Sequence, residues 1–136
     1  MNIFICASKH NYHHIPRIKK DLEKNGHRIA LPNCFNDPFI ELRIKEESSQ
    51  KHIELKQKLL KEQVLKIREN DAILVVNCDK NDQKNYIGGA TFLEIYKAFE
   101  FGKKIFLFNP IPKGILEDEI IGMNPTIVNG DLLKVV

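Results

Sequence analysis

The strongest strand signal in this 136-residue chain is the run Ala72-Ile73-Leu74-Val75-Val76-Asn77, which follows Asp71. Consecutive apolar residues in a strand place apolar groups on both of its faces, as expected of a central strand in a parallel sheet. A second apolar run, Lys104–Phe108, lies just after a helical pattern that ends at Gly102. The two runs and the helix between them predict a βαβ unit.

The rest of the chain continues this alternation of strands and helices. We predict further strands at Asn2–Cys6, His27–Leu31 and Thr126–Val128, with a strand-like piece at Leu132–Val136. Helical patterns cover residues 15–25, 45–69, 90–101 and 113–122, and the main loops are Ala7–His14, Pro32–Phe39 and Cys78–Gly89. Regular alternation requires parallel strands with right-handed crossovers. We therefore predict a flavodoxin-like (Rossmann-like) three-layer α/β sandwich with strand order 2-1-3-4-5.

Length and composition limit the class of protein. A chain of this size fits one domain over residues 1–136. Hydrophobic residues at 43% and charged residues at 29% are globular values, which argue against a disordered or collagen-like chain. No apolar run approaches the ~18–20 residues that a membrane-spanning helix needs. We expect no membrane partner.

The first residues and the cysteines predict a cytoplasmic protein. Met1–Cys6 leads directly into a strand and lacks the pattern of a signal peptide. The three cysteines, Cys6, Cys34 and Cys78, cannot all pair within one chain, and none has the C-x-x-C spacing of a zinc or redox site. We expect them to be reduced and structural, with no metal bound.

Charge is unevenly distributed along the chain. The formal net charge is +3, and residues 1–28 carry six basic against two acidic side chains, whereas residues 70–136 are slightly acidic. A net charge this small does not favour a nucleic-acid polymer as the partner, because such proteins carry a denser Lys/Arg stripe. A small anionic ligand is compatible with it.

The loop and helix start Tyr86–Glu94 form the segment that points to chemistry. In sheets of this type, ligands bind beyond the carboxyl ends of the strands, near the switch point between the first and third strands. Gly88 and Gly89 would allow close approach of a ligand and permit positive φ, and the helix that follows offers free N–H groups. The segment has neither the G-K-[ST] of a P-loop nor the G-x-G-x-x-G of a dinucleotide site.

Thr91-x-x-Glu94 has two interpretations at this stage. The spacing is that of a capping box, in which Thr91 and Glu94 satisfy the first backbone N–H groups of the helix. A glutamate in the first turn at the mouth of a parallel sheet can also face the ligand. There it could attack the anomeric carbon of a sugar or stabilise an oxocarbenium-like transition state.

The run Gly88–Ile95, with Ala98 and Gly102-Lys103-Lys104-Ile105, resembles the nucleoside 2-deoxyribosyltransferase superfamily. The strand around Asn70–Val75 and the opening Ile5-Cys6-Ala7-Ser8 are similar too, and related deoxynucleoside monophosphate N-glycosidases share the layout. The resemblance implies a domain that acts on the N-glycosidic bond of a nucleoside or nucleotide, with Glu94 as the nucleophile and Gly88, Gly89 and Thr91 shaping the pocket. It also implies a homodimer or higher homo-oligomer. We expect no cofactor.

The sequence departs from the transferases at two supporting positions. Those enzymes place an aspartate six residues before the nucleophile, where this chain has Gly88, and another on the preceding helix, where the equivalent region offers Gln63 and Lys66. The departures favour an alternative, a non-catalytic nucleotide sensor of the same fold. The excess of basic residues in the N-terminal half of the sequence slightly favours a phosphorylated substrate.

Several polar residues in the loops are weaker candidates. Ser8 could bind a ribose hydroxyl or a phosphate, and Asn77 and Asn109, which end two strands, could contact a base or sugar; turn chemistry explains all three nearly as well. Asp82 is a candidate acid for the leaving base, although its surroundings also read as a solvated loop. His10, His13 and His14 lack an acidic or cysteine partner nearby, which argues against a metal site.

Overall fold

The structure is a computed structural model that describes residues 1–136. Its strands are β1 (Asn2–Cys6), β2 (Arg28–Ala30), β3 (Ala72–Val75), β4 (Lys104–Leu107) and β5 (Thr126–Ile127). Its helices are α1 (Ile15–Lys24), α2 (Ile40–Glu47), α3 (Ser49–Glu69), α4 (Gly89–Glu100) and α5 (Glu117–Gly122). Short 3₁₀ helices cover Lys9–His14 and Leu132–Lys134.

The five strands form one parallel sheet in the order β2-β1-β3-β4-β5. β1 pairs with β3 from Ile3 opposite Ala72 to Cys6 opposite Val75, and β3 pairs in turn with β4. The predicted flavodoxin-like fold and strand order are therefore confirmed. β1 and β3 are the central strands, so their carboxyl ends define the switch point at which ligands of such sheets bind.

Alternate side chains of the central strands pack into two separate cores, one on each face of the sheet. Ile3, Ile5 and Leu74 lie in the core that α1 covers. Phe4, Cys6 and their neighbours on β3 lie in the opposite core, where they pack with residues of α3, α4 and α5. Full burial on both faces explains why the strands read as continuous apolar runs.

Three elements differ from the prediction. The helix predicted over residues 45–69 is two helices, because Ser48 adopts an extended conformation and its side chain caps α3 by accepting a hydrogen bond from the N–H of Lys51 at 3.2 Å. The loop predicted at Ala7–His14 contains a 3₁₀ helix. The strand-like piece predicted at Leu132–Val136 is wrong: Asp131 caps a 3₁₀ turn there.

None of the helices combines the length and the apolar character that a bilayer crossing requires.

Candidate active site

A cavity of about 390 Å³ opens at the carboxyl ends of β1 and β3. One wall is formed by the loop after β1, the loop after β3 and the start of α4; the other is formed by the loop after β2 with α2 and α3. The volume lies in the range that small-molecule sites usually have. We call this space the Glu94 cavity, because Glu94 is its buried acidic residue. Of the residues predicted from the sequence, it brings together Ser8, Gly88, Gly89, Thr91 and Glu94.

Ser8 reaches the cavity because the loop after β1 is anchored to the end of β3. The backbone N–H of Asn11 donates to the carbonyl of Ser8 at 2.8 Å. The side-chain amide of the fully buried Asn11 donates to the carbonyls of Val76 and Cys78 at 3.4 and 3.1 Å. These bonds fix the first loop next to the third strand, as the topology requires of a site at the switch point.

Gly88 and Gly89 form the start of α4 without the positive φ that the sequence allowed. Gly88 is the N-cap, with φ −82° and ψ 172°, and Gly89 is the first helical residue. A Cβ at Gly88 would meet the Tyr86 hydroxyl oxygen at 3.3 Å, whereas a Cβ at Gly89 would meet nothing within 4 Å. Gly88 therefore makes room for the Tyr86 ring, and Gly89 leaves open space beside the cavity.

The capping-box interpretation of Thr91 and Glu94 is wrong. α4 begins two residues before Thr91, and no side chain caps it. Thr91 and Glu94 therefore lie within the helix, both buried and both on its cavity-facing side. The first N–H groups of α4 have no side-chain partner, so they are available to a ligand at the cavity wall.

Glu94 is 7% exposed, and its accessible part lines the cavity. Burial raises the pKa of its carboxyl group to about 8, against the opposing influence of the Cys6 thiol beside it and the positive charges of Lys66 and Lys56. The carboxyl group is thus largely protonated at neutral pH and becomes a carboxylate in mildly alkaline solution. Perturbed acids in clefts are typical of catalytic sites.

The opposite wall carries a paired acid and base. Glu41 of α2 accepts a hydrogen bond from Lys56 of α3 at 3.1 Å, and His52 lies 3.8 Å from the same carboxylate. Gln63 of α3 also lines the cavity. Gln63 and Lys66, the residues expected where the transferases have an aspartate, thus lie on α3, the helix that faces Glu94. The second carboxylate of the cavity is that of Glu41, which is paired with Lys56.

Asn77 and Asn109 lie outside the cavity lining. The Asn77 amide donates to the carbonyls of Asn109 and Pro110, both at 3.0 Å, and its oxygen accepts from the N–H of Asn109 at 2.9 Å. The Asn109 amide donates to the Asn77 carbonyl at 3.1 Å. Both amides tie the end of β3 to the end of β4, so their hydrogen-bonding groups face the protein and not the cavity.

Asp82 also lies away from Glu94. It lines a second cavity, next to the segment Pro110–Lys113 after β4. Asp79 accepts hydrogen bonds from the Asn85 N–H and from Lys84, each at 2.9 Å. These bonds hold the pKa of Asp79 below its usual range. The structure therefore does not bring the acids of this loop into the Glu94 cavity.

The histidines of the first loop separate in the structure. His10 lines the Glu94 cavity, while the rings of His13 and His14 stack on each other with centroids 4.0 Å apart on another surface. No group of three or more His, Cys, Asp or Glu side chains is arranged to hold a metal ion. Cys6, Cys34 and Cys78 are all free.

Sequence reasoning missed several residues of the cavity. Tyr86 and Lys80 line it from the loop after β3, and Tyr12, Glu41 and Lys56 line it from elements on both sides. Tyr86 stands two positions before Gly88, at the start of the segment Tyr86–Glu94, which is a usable signal. Glu41 and Lys56 come from α2 and α3, and only the break at Ser48 would have indicated that these helices fold over the switch point.

No protein-family model matches the sequence, and no curated protein matches it. Two solved structures have a similar fold. One is a 2-deoxyribosyltransferase from Bacillus psychrosaccharolyticus, at a TM-score of 0.58 and 19% identity over 85% of this chain and 77% of that one. The other is a CMP N-glycosidase from Clostridium botulinum, at a TM-score of 0.55 and 18% identity over 93% of this chain and 85% of that one. Both agree with the superfamily resemblance of the sequence, and they establish that the chain has the fold these two proteins share.

Proposed function

We propose that this chain is an enzyme that binds a nucleoside or nucleotide and acts on its N-glycosidic bond, with Glu94 as the nucleophile. The observation that carries the proposal is the burial of an unpaired glutamate, with a raised pKa, in a cavity at the switch point. The two structural neighbours support this choice of bond, since one is a 2-deoxyribosyltransferase and the other a CMP N-glycosidase.

The reaction proceeds in two balanced steps. A carboxylate oxygen of Glu94 attacks C1′ of the sugar, the C1′–N bond breaks, and the base leaves with the bonding electrons and takes a proton from water. The hydroxide that remains then attacks C1′ and releases the carboxylate, which completes hydrolysis. In transfer, a nitrogen of a second base attacks C1′ in place of hydroxide, its N–H proton goes to that hydroxide to give water, and the Glu94 carboxylate is released. Lys56 and Lys66 favour the carboxylate form that the first step needs.

Replacement of the nucleophile tests the proposal. We expect Glu94→Gln to lower kcat/KM by about a thousandfold or more, because no amide replaces the attacking carboxylate. The assay follows base release from ribo- and 2′-deoxyribonucleosides and their 5′-monophosphates, with and without an acceptor base. Glu100→Gln is the matched control, because Glu100 lies on the same helix, exposed and paired with Lys97 at 3.1 Å. Unchanged turnover in Glu94→Gln would contradict the nucleophile role.

A second candidate is a non-catalytic nucleotide sensor. Gly88 and Gln63 stand where the transferases carry aspartates, and a protonated Glu94 would donate a hydrogen bond to a ligand hydroxyl instead of attacking it. Calorimetry with the same compounds separates the two. Binding without base release or exchange would favour the sensor.

We also propose that the chain assembles as a homodimer or higher homo-oligomer. Leu93, Tyr96 and Phe99 form a row on the outer face of α4, and each is about half exposed. This row lies on the side of α4 opposite Glu94, so a second copy packed there would stabilise the helix that holds the nucleophile.

A further inference from the structure

Three basic side chains of the Glu94 cavity have no acidic partner. Lys9 and His10 come from the loop after β1, and Lys80 comes from the loop after β3. None of the three takes part in a salt bridge, whereas Lys56, on the opposite wall, is paired with Glu41 at 3.1 Å. The wall that carries Glu94 therefore has an unneutralised positive charge, and the facing wall does not.

Lys80 is held in place by the backbone around it. Its N–H and carbonyl exchange two hydrogen bonds with Gln83, each of 2.9 Å, across a turn in which Asn81 adopts φ 51°. Asp79, the nearest acid in sequence, uses both carboxylate oxygens on Asn85 and Lys84. The turn thus fixes the backbone of Lys80 while its neighbouring acid is engaged elsewhere, so the ammonium group forms no salt bridge.

The ammonium group of Lys80 lies 4.6 Å from the centroid of the Tyr86 ring. The same ring packs against Gly88, where its hydroxyl would be 3.3 Å from a Cβ. Tyr86 therefore lies against both Lys80 and Gly88, the N-cap of the helix that carries Glu94. The contact with the ring uses no hydrogen-bond acceptor, so the ammonium group keeps its N–H donors for a ligand.

The pKa of His10 is affected by the two lysines of this cluster. Burial, and then the charges of Lys80 and Lys9, lower the pKa of His10. His10 is therefore mostly uncharged at neutral pH, and the two ammonium groups carry the positive charge of the cluster. A ring N–H of the neutral imidazole can still donate to an anion that the two lysines attract.

We propose that Lys9, His10 and Lys80 form a subsite for the 5′-phosphate of the substrate, and that they make the protein select nucleoside 5′-monophosphates over nucleosides. The substrate class rests on the proposed function, which supplies the nucleoside part of the ligand. A phosphate offers several acceptor oxygens, and the flexible ammonium groups of two lysines can each meet one of them. The Glu94 carboxyl group lies deeper in the cavity, so an anion at the cationic residues leaves the sugar between them and Glu94.

Calorimetry tests the subsite. The Glu94→Gln protein, which prevents turnover, is titrated with the common nucleosides, their 5′-monophosphates and inorganic phosphate. We expect one or more monophosphates to bind about tenfold or more tighter than the matching nucleoside, a difference of about 1.4 kcal/mol. Adding Lys80→Met should remove most of that preference without weakening nucleoside binding. Lys84→Met is the control, because Lys84 lies in the same loop but pairs with Asp79 outside the cavity.

The outcomes separate this inference from the proposed function. A phosphate preference that depends on Lys80, in a wild-type protein without turnover, would uphold the subsite and reject the enzyme. Base release from nucleosides and monophosphates with equal efficiency would uphold the enzyme and overturn the subsite. Equal effects of Lys80→Met and Lys84→Met, or failure of every monophosphate to bind, would also overturn it.

Discussion

Asp79, in the loop that joins β3 to α4, and Glu94, in the second turn of α4, are carboxyl residues with opposite surroundings. Asp79 is exposed and accepts hydrogen bonds from Lys84 and from the Asn85 N–H. Glu94 is buried, with the Cys6 thiol beside it and two lysines nearby. The pKa of Asp79 is lowered and that of Glu94 is raised. Asp79 has two hydrogen-bond donors within the protein, whereas Glu94 has only the thiol of Cys6, a weak donor, and forms no salt bridge.

The largest expected effect of this difference is on stability at high pH. The raised pKa of Glu94 makes a contribution to folding that is fully present below the unfolded pKa near 4.5 and is lost as pH rises through about 8. When the pH is raised from 5 to 9, the free energy of unfolding of the wild type should therefore fall by up to about 4 kcal/mol relative to that of Glu94→Gln, which is a gain for the variant. Urea titrations at both pH values measure this gain.

Asp79→Asn provides the contrast for that experiment. The pKa of Asp79 is lowered, so its contribution is present above its unfolded pKa and is lost only as pH falls through acidic values. The difference in free energy of unfolding between Asp79→Asn and the wild type should therefore stay constant between pH 5 and 9. A Glu94→Gln difference that is equally constant over this range would show that Glu94 is not held protonated by burial.

The next effect is on the rate. If Glu94 attacks as a carboxylate, kcat/KM should follow its ionised fraction, which is about 1% at pH 6 and about half at pH 8 for a pKa of about 8. We expect a rise of about fiftyfold over this interval and a plateau above pH 9. Asp79→Asn should leave the profile unchanged. A rate that falls over the same interval would instead identify Glu94 as a proton donor.

The sheet could be predicted from the sequence because its signals are local. Apolar runs such as Ala72–Val76 and the regular alternation with helices define β3 and the parallel order without any knowledge of contacts. The break at Ser48 was missed because helical periodicity continues on both sides of it. The capping box was misleading for a related reason: Thr91-x-x-Glu94 has the right spacing, but α4 starts earlier, at Gly89.

The site could be predicted only in part. Glu94 and the glycines stand together in sequence, so the motif was sufficient to select them as candidates, and the structure places them around one cavity. The cluster of Lys9, His10 and Lys80 joins two loops about 70 residues apart, and only the pairing of β1 with β3 brings those loops together. Which polar side chains are already used by the protein, as in Asp79, depends on hydrogen bonds that no sequence pattern displays.

Asn77 combines the two kinds of surroundings: it is buried, as Glu94 is, and hydrogen-bonded within the protein, as Asp79 is. It is fully buried, and it donates to the carbonyls of Asn109 and Pro110 while accepting from the Asn109 N–H. Asn77→Ala should lower the free energy of unfolding by about 2 kcal/mol, because it leaves those backbone groups unpaired. Urea titration measures the loss, and calorimetry measures nucleotide affinity under conditions where the variant is folded.

The control for this prediction is Asn36→Ala, an exposed asparagine in the loop after β2, whose replacement should change stability by less than about 0.5 kcal/mol. We expect the nucleotide affinity of Asn77→Ala to match that of the wild type, because its amide groups face the protein. Weakened affinity at unchanged stability would place Asn77 with Glu94 among the ligand-binding residues. The Asn77 amide would then exchange its backbone partners for the ligand. In that case burial would be enough to identify the residues of this site, whether or not their polar groups are already hydrogen-bonded within the protein.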